Sequence, residues 1–242
     1  MIKYDRDVTA NFMNYGYHGL NGDPHLELKN GDENDRYCIQ LYDHVVNRAD
    51  LRDKDVLEVG SGRGGGASYI SRYYKPKSYT GLDISGSIID FCNRYYDVEG
   101  LSFKKGIAEN LPFEDGSFDA LVNVESARCY SSLTVFFKEV YRVLKENGEF
   151  LFTDMVRPKK VEDMKTKLAE CGFKIVHETE ITANVVEGLN RDTERRETLI
   201  RKQVPGFLVN SFDSFAGAKG TERYNSFLDG TYQYWSFVLH KS

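Results

Sequence analysis

Glycine is concentrated at one point of the chain, in the stretch EVGSGRGGG at residues 58–66. Five glycines lie within the seven positions 60–66, directly after an apolar run that is typical of a buried strand. A glycine loop between such a strand and a helix brings free backbone N–H groups and a helix N-terminus together, where a nucleotide-like ligand can bind. Gly60, Gly62 and Gly65 also fit the dinucleotide pattern G-x-G-x-x-G. The loop by itself leaves open a nicotinamide enzyme, another nucleotide-binding protein or a tight turn with no ligand.

Asp83 supplies the next chemical group, nineteen residues after Gly64 and at the end of the second predicted strand. A carboxylate at that place can accept hydrogen bonds from both hydroxyls of an adenosine ribose. The alternative is a surface carboxylate that caps the following helix, although Ser85 is available for that role. The loop and Asp83 together favour a ligand that contains adenosine.

The elements that must position these groups alternate between strand-like and helix-like segments from Asp55 onward, which predicts a parallel sheet covered by helices. The predicted strands span residues 56–60, 78–83, 101–105, 118–124, 148–154, 173–181 and 231–240. The predicted helices span residues 34–48, 65–74, 85–96, 132–146 and 161–170. Gly148 is expected to end the helix over 132–146. A polar insert is predicted between about 185 and 230, and its charged stretch at 191–197 indicates a solvated helix face.

Composition limits the class of protein. The chain has 242 residues and a net charge of −5, so one domain is expected and a nucleic-acid partner is not. No apolar run reaches the ~18 residues of a membrane span, and the first residues lack the apolar core of a signal peptide. The four cysteines are scattered without the spacing of metal ligands. We therefore expect a cytoplasmic protein with reduced thiols, no metal site and no integral membrane association; the oligomeric state is not indicated.

Residues 55–154 resemble the class I S-adenosylmethionine-dependent methyltransferases. Three features carry the resemblance in the order and spacing of that family: Glu58 in the motif E-x-G-x-G, Asp83 at a strand end, and the segment AENLPF-x-DGSFD from Ala108 onward. The resemblance implies an α/β fold with a Rossmann-like, seven-stranded, mostly parallel sheet, helices on both faces and an antiparallel last strand. It also implies a helical N-terminal lid, an insert before the last strand, and S-adenosylmethionine as the cofactor.

The family resemblance assigns a set of residues to the cofactor. The backbone at 60–62 would hold the methionine part, Asp83 the ribose and Ile84 one face of the adenine, and the loop at 107–109 would close over the adenine edge. Relatives usually carry Asp where this chain has Ile107, so a backbone carbonyl or Glu109 would accept from the adenine amino group instead. The full set is Glu58, Gly60, Ser61, Gly62, Asp83, Ile84, Ile107, Ala108, Glu109 and Asn123.

Three further stretches narrow the resemblance: FMNYGYHGL near the start, NVESARCY after the fourth strand, and the segment from VPGFLVNSF to the last strand. They are similar to the small-molecule methyltransferases that include the phthiotriol dimycocerosate methyltransferases, with sterol C-24 methyltransferases more distant. This implies methylation of a small apolar natural product or lipid, at a hydroxyl oxygen. A C-methyltransferase of sterol or isoprenoid type and a protein that only binds the cofactor are the alternatives. The long N-terminal extension and AENLPF speak against a nicotinamide dehydrogenase.

A hydroxyl acceptor benefits from a general base, and two residues are candidates. Glu125 follows the carboxyl end of a strand, where ligands bind in open α/β sheets, but could also be a solvated or helix-capping residue. His18 lies in the aromatic stretch near the start, where an ordinary packing histidine is the alternative. Arg128 could hold an acidic group or form a structural ion pair. The residues expected on the acceptor side are Tyr15, Tyr17, Arg128, Tyr130 and Phe207.

We expect all of these residues to belong to one methyltransferase domain over 1–242. Within it, an N-terminal lid and helix would occupy 1–50 and a cofactor-binding core 51–184. A substrate-side insert would occupy 185–230, and the last strand 231–242.

Overall fold

A seven-stranded sheet forms the centre of the computed structural model, which describes residues 10–20, 26–203, 205–206, 209, 213 and 216–242. In chain order the strands are β1 (Asp55–Val59), β2 (Ser78–Asp83), β3 (Leu101–Lys105), β4 (Phe118–Val124), β5 (Leu144–Val156), β6 (Phe173–Glu180) and β7 (Gln233–Lys241). Their order across the sheet is β3-β2-β1-β4-β5-β7-β6. The pairs from β3 to β5 are parallel, and β7 runs antiparallel to both of its neighbours. The predicted α/β fold with an antiparallel last strand is confirmed.

Helices cover both faces of this sheet. They are α1 (Arg36–Val46), α2 (Gly65–Tyr74), α3 (Gly86–Tyr95), α4 (Leu133–Val143), α5 (Pro158–Glu170), α6 (Thr182–Gln203) and α7 (Glu222–Leu228). Side chains alternate along each strand, so that Val56 joins an apolar cluster with α1, α2, α3 and α6 whereas Leu57 joins one with α4 and α5. Two buried layers therefore fix the sheet from opposite sides, as the resemblance predicts.

The strand order reverses at β1, which lies between β2 and β4. In open α/β sheets the crevice outside the carboxyl ends of the strands at such a reversal is where ligands bind. The glycine loop follows β1, Asp83 ends β2, and Glu125 follows β4. The topology thus brings the three predicted groups to one edge of the sheet.

The boundary between α4 and β5 differs from the prediction. The helix predicted over 132–146 ends at Val143, and β5 begins at Leu144 rather than at 148. Leu144 is fully buried and pairs with Phe118 of β4. Because Leu144 also continues the apolar period of α4, the sequence pattern could not separate the end of the helix from the start of the strand.

The charged stretch at 191–197 is predicted to form a solvated helix face, which holds for the exposed Arg191 and Glu194 but is wrong for two other charges. It lies in α6, where Asp192 is 3% exposed and Arg196 8% exposed. The two side chains form an ion pair at 2.8 Å, and the Arg196 guanidinium also donates to the Asn14 carbonyl at 3.0 Å. α6 begins at Thr182, so the predicted start of the insert falls inside a helix. The charges of α6 hold the N-terminal segment in place.

Two observations concern the chain as far as the structure describes it. No helix in the described ranges is long and apolar enough to span a lipid bilayer. No group of three or more His, Cys, Asp or Glu side chains in those ranges could hold a metal ion. The four cysteines are free thiols.

Candidate active site

A cavity of about 570 Å³ opens at the carboxyl ends of β1, β2 and β4. Its walls come from the glycine loop, the β2 end at Asp83 and Ile84, the loop at 106–109 and the turn at 124–131. Residues 11–14 and Tyr42 of α1 complete the wall on the side of the N-terminal segment. Most of the residues predicted to hold the cofactor therefore share one space.

The first three amides of the glycine loop are used within the protein. The amides of Gly60 and Ser61 both donate to the Leu82 carbonyl, at 2.8 and 3.0 Å, and the Gly62 amide donates to Asp83 Oδ2 at 3.0 Å. A dinucleotide pyrophosphate would need such donors. Residues 60–62 therefore have no amide available to a phosphate, and they suit a ligand that needs only a close approach of the backbone.

Close approach is what glycine provides at Gly60. Its φ is +79°, in the left-handed region that favours glycine. A Cβ atom there would collide with the Ser126 side chain and would lie 2.9 Å from the Tyr130 hydroxyl. Gly60 consequently allows the turn after β4 to pack directly on the loop after β1, which shapes the inner end of the cavity.

Asp83 is half-buried and lines the cavity. Its two oxygens accept from the backbone amides of Gly62 at 3.0 Å and Ser85 at 2.9 Å. Each carboxylate oxygen keeps a second lone pair, so the group can still accept two ribose hydroxyls. The helix-capping role falls to Ser85, whose hydroxyl accepts from the Ile88 amide at 3.4 Å. The position and free acceptors of Asp83 fit a ribose.

Two large apolar side chains stand exposed beside Asp83. Ile84 is 67% exposed and Ile107 is 50% exposed, and both line the cavity. A flat aromatic base placed against them would remove this apolar surface from water. The loop that carries Ile107 is tied down by Glu109, whose Oε1 accepts from the Ser131 amide at 2.7 Å and the Ser131 hydroxyl at 2.8 Å. Burial favours the neutral acid, but these bonds outweigh it and lower the pKa of Glu109.

The structure places Glu58 behind the cavity wall. Its side chain is fully buried, and its oxygens accept from the hydroxyls of Tyr42 at 2.8 Å and Tyr79 at 3.0 Å. Burial raises the pKa of Glu58 to about 7, against the effect of both hydrogen bonds. Tyr42 does line the cavity. Glu58 can therefore act on a ligand only through the ring that it positions.

Asn123 is likewise buried behind the wall, where it organises residues that line the cavity. Its Nδ2 donates to the Val59 carbonyl and to Ser126 Oγ, both at 2.8 Å, and Ser126 Oγ shares a hydrogen bond with the Tyr130 hydroxyl at 2.8 Å. Ser61, which does line the cavity, is buried and its hydroxyl has no partner among the described residues. A polar ligand end beside the glycine loop would satisfy that hydroxyl.

Glu125 and Arg128 belong to a compensated charge cluster at the end of β4. Glu125 has φ +54° and is 8% exposed, and its Oε1 accepts from the Tyr15 amide at 2.7 Å. Burial raises the pKa of Glu125, and Arg128 opposes that shift. Arg128 pairs with Asp154 at 2.8 Å and lies 3.6 Å from Glu125 Oε2. Of the two roles open to Arg128, the structure shows the ion pair.

The predicted acceptor residues of the N-terminal segment lie away from the cavity wall. Tyr15 and Tyr17 are 3% and 9% exposed and belong to the apolar core, and the Tyr17 ring stacks on His44 at 4.5 Å. His18 packs edge-on against Tyr37, and its amide donates to the Asn184 carbonyl at 3.0 Å. The structure thus brings Glu125, Arg128 and Tyr130 to the cavity, but not Tyr15, Tyr17 or His18.

Phe207 lies outside the described residues, as do Leu208, Phe212 and Phe215 of the same insert.

Sequence reasoning missed residues 11–14 and Tyr42 as parts of the wall. The aromatic stretch was recognised, but its tyrosines were singled out instead of Met13, which is 54% exposed at the cavity. Tyr42 lies on the apolar face of α1, and this periodicity looks the same for a core residue and a wall residue. Neither position carries a motif that could have identified it.

Comparisons with known proteins agree with this geometry. Residues 57–152 match a family described as "Methyltransferase domain". The chain is 38% identical over 240 residues to the fatty-acid O-methyltransferase of Mycolicibacterium smegmatis, covering 98% of this chain and 85% of that protein. It is 37% identical over 213 residues to the phthiotriol/phenolphthiotriol dimycocerosates methyltransferase of Mycobacterium tuberculosis, covering 87% and 78%.

Solved structures show the same fold. The geranyl diphosphate C-methyltransferase of Streptomyces coelicolor, solved with Mg²⁺, geranyl diphosphate and S-adenosyl-L-homocysteine, superposes with a TM-score of 0.70. The match covers 95% of this chain and 92% of that one at 16% sequence identity. At this identity the likeness supports the fold alone.

Proposed function

Because this chain belongs to the S-adenosylmethionine-dependent methyltransferase family of its curated relatives, we propose that it methylates a lipid-like acceptor at an oxygen atom. Two of those relatives are named for a fatty acid and for phthiotriol or phenolphthiotriol dimycocerosates as acceptors. Both names describe apolar molecules. A small, largely apolar natural product or lipid with a hydroxyl group is the acceptor we propose for this chain.

The observation that carries the proposal is the surroundings of Asp83. Its carboxylate retains two acceptor sites beside two exposed isoleucines, in a cavity whose loop amides at 60–62 are already used within the protein. Ribose hydroxyls and an adenine ring fit that set of groups, and a pyrophosphate does not. Asp83 would hold the ribose, Ile84 and Ile107 the adenine, and the Ser61 hydroxyl the polar end of the methionine part.

Methyl transfer is an in-line displacement that depends on holding two reactants together without water. S-adenosylmethionine, when bound, supplies the electrophilic methyl group. Residues 11–14 and the turn at 124–131 form two walls around the cavity and would exclude water from it. The Gly60 backbone allows the Ser126 and Tyr130 hydroxyls to lie directly against the loop, where they can orient an acceptor oxygen.

A hydroxyl acceptor must also lose its proton. Of the two predicted bases, Glu125 forms part of the cavity wall, and its Oε2 lies 3.6 Å from the Arg128 guanidinium. A hydrogen bond with Tyr234 also acts on this carboxylate. Burial raises the pKa of Glu125, which makes the carboxylate a better proton acceptor than an exposed one. His18 lies outside the wall. We therefore assign removal of the acceptor's hydroxyl proton to Glu125, and we regard His18 as a packing residue.

Methyl-labelled S-adenosylmethionine tests this function with three acceptors that share one long apolar chain: an alcohol, a carboxylic acid and an alkene without oxygen. Label is expected in the ether or the ester product and not in the alkene. Asp83→Ala should remove this turnover, whereas Arg52→Gln, at the opposite edge of the sheet, should leave it unchanged. Label only in the alkene would instead establish carbon methylation, and label in none of the three would remove the proposed acceptor class.

A further inference from the structure

Two arginines meet at one tyrosine ring on the same edge of the sheet as the cavity, but outside it. The Arg157 guanidinium carbon lies 5.1 Å from the centre of the Tyr232 ring, and that of Arg223 lies 5.0 Å from it. Arg157 directly follows β5 and Tyr232 directly precedes β7, and the neighbouring Val156 and Gln233 are paired across the two strands. Arg223 comes from the first turn of α7. Three separate elements therefore converge at this point.

These two positive charges are not compensated by any carboxylate in the described part of the chain. Other arginines of this protein are paired with carboxylates: Arg128 pairs with Asp154, and Arg142 pairs with Glu139. Within those ranges, Arg157 and Arg223 have no salt bridge, and besides the Tyr232 side chain the Arg223 guanidinium contacts the Met155 sulfur, at 3.5 Å.

The cluster has the chemistry of an oxyanion site. Two guanidinium groups at one ring repel each other, and each carries planar N–H donors that suit a carboxylate or a phosphate. A hydrogen bond from Arg157 makes the largest contribution to a lowered pKa of Tyr232, and Arg223 lowers it further. The whole chain has a net charge of −5, so its overall field does not favour anions. Anion binding here would have to come from these local groups.

The cluster is also connected to the acceptor side of the cavity. Arg223 touches Met155, whose neighbour Asp154 pairs with Arg128 in the cavity wall. Arg157, Arg223 and Tyr232 themselves are not in that wall. A ligand group held by them would lie outside the cavity, where β5 ends and α7 begins.

We propose that Arg157, Arg223 and Tyr232 bind a carboxylate or phosphate group carried by the acceptor, distant from the atom that receives the methyl. The site would select an amphipathic acceptor over a wholly apolar one of the same length. The assignment of the anion to the acceptor rests on the proposed function, whereas the presence of an oxyanion site does not.

Calorimetric titration of the protein saturated with S-adenosylhomocysteine tests the site. The probes are decyl phosphate, decanoate, decanol and inorganic phosphate. Hydrogen bonds to charged groups contribute enough that Arg157→Gln/Arg223→Gln should weaken decyl phosphate and decanoate binding by about tenfold or more. Decanol binding should not change. Arg52→Gln, which also removes one positive charge, is the matched control, and Arg157→Gln alone alters an exposed side chain that the fold does not need.

The outcomes separate the site from its ligand and from the proposed function. Equal affinities of the double variant and the unmodified protein for decyl phosphate and for decanoate would overturn the site. Inorganic phosphate that binds as tightly as decyl phosphate, and is lost in the double variant, would keep the oxyanion site but remove the acceptor as its source. If the protein did not bind S-adenosylhomocysteine to saturation, the result would instead count against the proposed cofactor. The same titrations reveal whether saturation is reached.

Discussion

Carboxylates of this chain differ in what surrounds them, and those surroundings decide what each can do. Asp83 is half-buried, faces the cavity and is held by two backbone amides. Glu58 is fully enclosed by two tyrosine hydroxyls, and burial raises its pKa to about 7. Burial also raises the pKa of Glu125, which holds the Tyr15 amide. Of the three, Asp83 is the group placed to accept hydrogen bonds from a ribose, whereas Glu125 is the proposed base for the acceptor hydroxyl.

Replacement of Asp83 by alanine should weaken S-adenosylhomocysteine binding by roughly 1.5–3 kcal/mol, the range for hydrogen bonds to a charged group. The fold should survive, because the side chain lies at the edge of the sheet and is not in the core. Calorimetry on the unmodified protein and the variant measures the change. Asp90→Ala, an exposed carboxylate on the adjacent α3, is the control and should bind as the unmodified protein does. An unchanged affinity in the Asp83 variant would remove its assignment to the ribose.

At the residue scale, the sequence motifs predict which residues lie near the ligand site, but not which way each side chain points. Asp83, Ile84 and Ile107 are in the cavity wall, as the resemblance implies. Glu58 is not in the wall. The motif places it near the end of β1 but does not determine whether its side chain points into the cavity or into the core. Its hydrogen-bond partners Tyr42 and Tyr79 come from other elements, and no local sequence pattern predicts these contacts.

Among the elements, the N-terminal segment departs most from its prediction. The family resemblance implies that it forms a lid over the cofactor. Instead the Tyr15 amide donates to Glu125, the Tyr17 amide donates to the Tyr37 carbonyl at 2.9 Å, and Arg196 holds the Asn14 carbonyl. The segment is thus anchored from residue 14 onward by three distant elements, and residues 11–13 extend from this anchor along the cavity.

Hydrogen exchange should divide the segment at this anchor. The amides of Tyr15, Tyr17 and His18 are hydrogen-bonded within the protein, so they should be protected before any ligand is added. Residues 11–13 should gain protection when S-adenosylhomocysteine binds, because Met13 is exposed at the cavity. The amide of the exposed Gly230, which has no hydrogen bond to the described residues, gives the unprotected reference rate. Exchange of residues 15–18 at that rate in the free protein would contradict the anchored segment and restore a lid that includes the tyrosines.

Element boundaries were predictable where local signals were strong. β2, β3 and β4 have the predicted bounds, and α2 begins and ends as predicted. The prediction failed at Leu144, whose apolar side chain suits both α4 and β5, and at the 191–197 stretch. Charges in α6 are paired and buried by the N-terminal segment, and sequence periodicity cannot show a partner that lies 182 residues away, as Asn14 does from Arg196.

For the whole molecule, topology separates the two nucleotide-binding interpretations that the glycine loop left open. The dinucleotide-binding fold has the strand order 3-2-1-4-5-6 with parallel strands. This sheet inserts an antiparallel β7 between β5 and β6. The loop amides at 60–62 are also used within the protein, so no pyrophosphate site forms there. Fold and loop therefore agree with the methyltransferase relatives and exclude the nicotinamide interpretation that the glycine pattern alone allowed.

Thermal unfolding with S-adenosylhomocysteine, NAD and NADP tests this central claim most directly. A ligand that binds only the native state at 100 times its Kd stabilises it by about 2.7 kcal/mol, which for a chain of this size raises Tm by roughly 5–10 °C. We expect that increase with S-adenosylhomocysteine and no increase with NAD or NADP. An increase with NAD or NADP and none with S-adenosylhomocysteine would contradict the account.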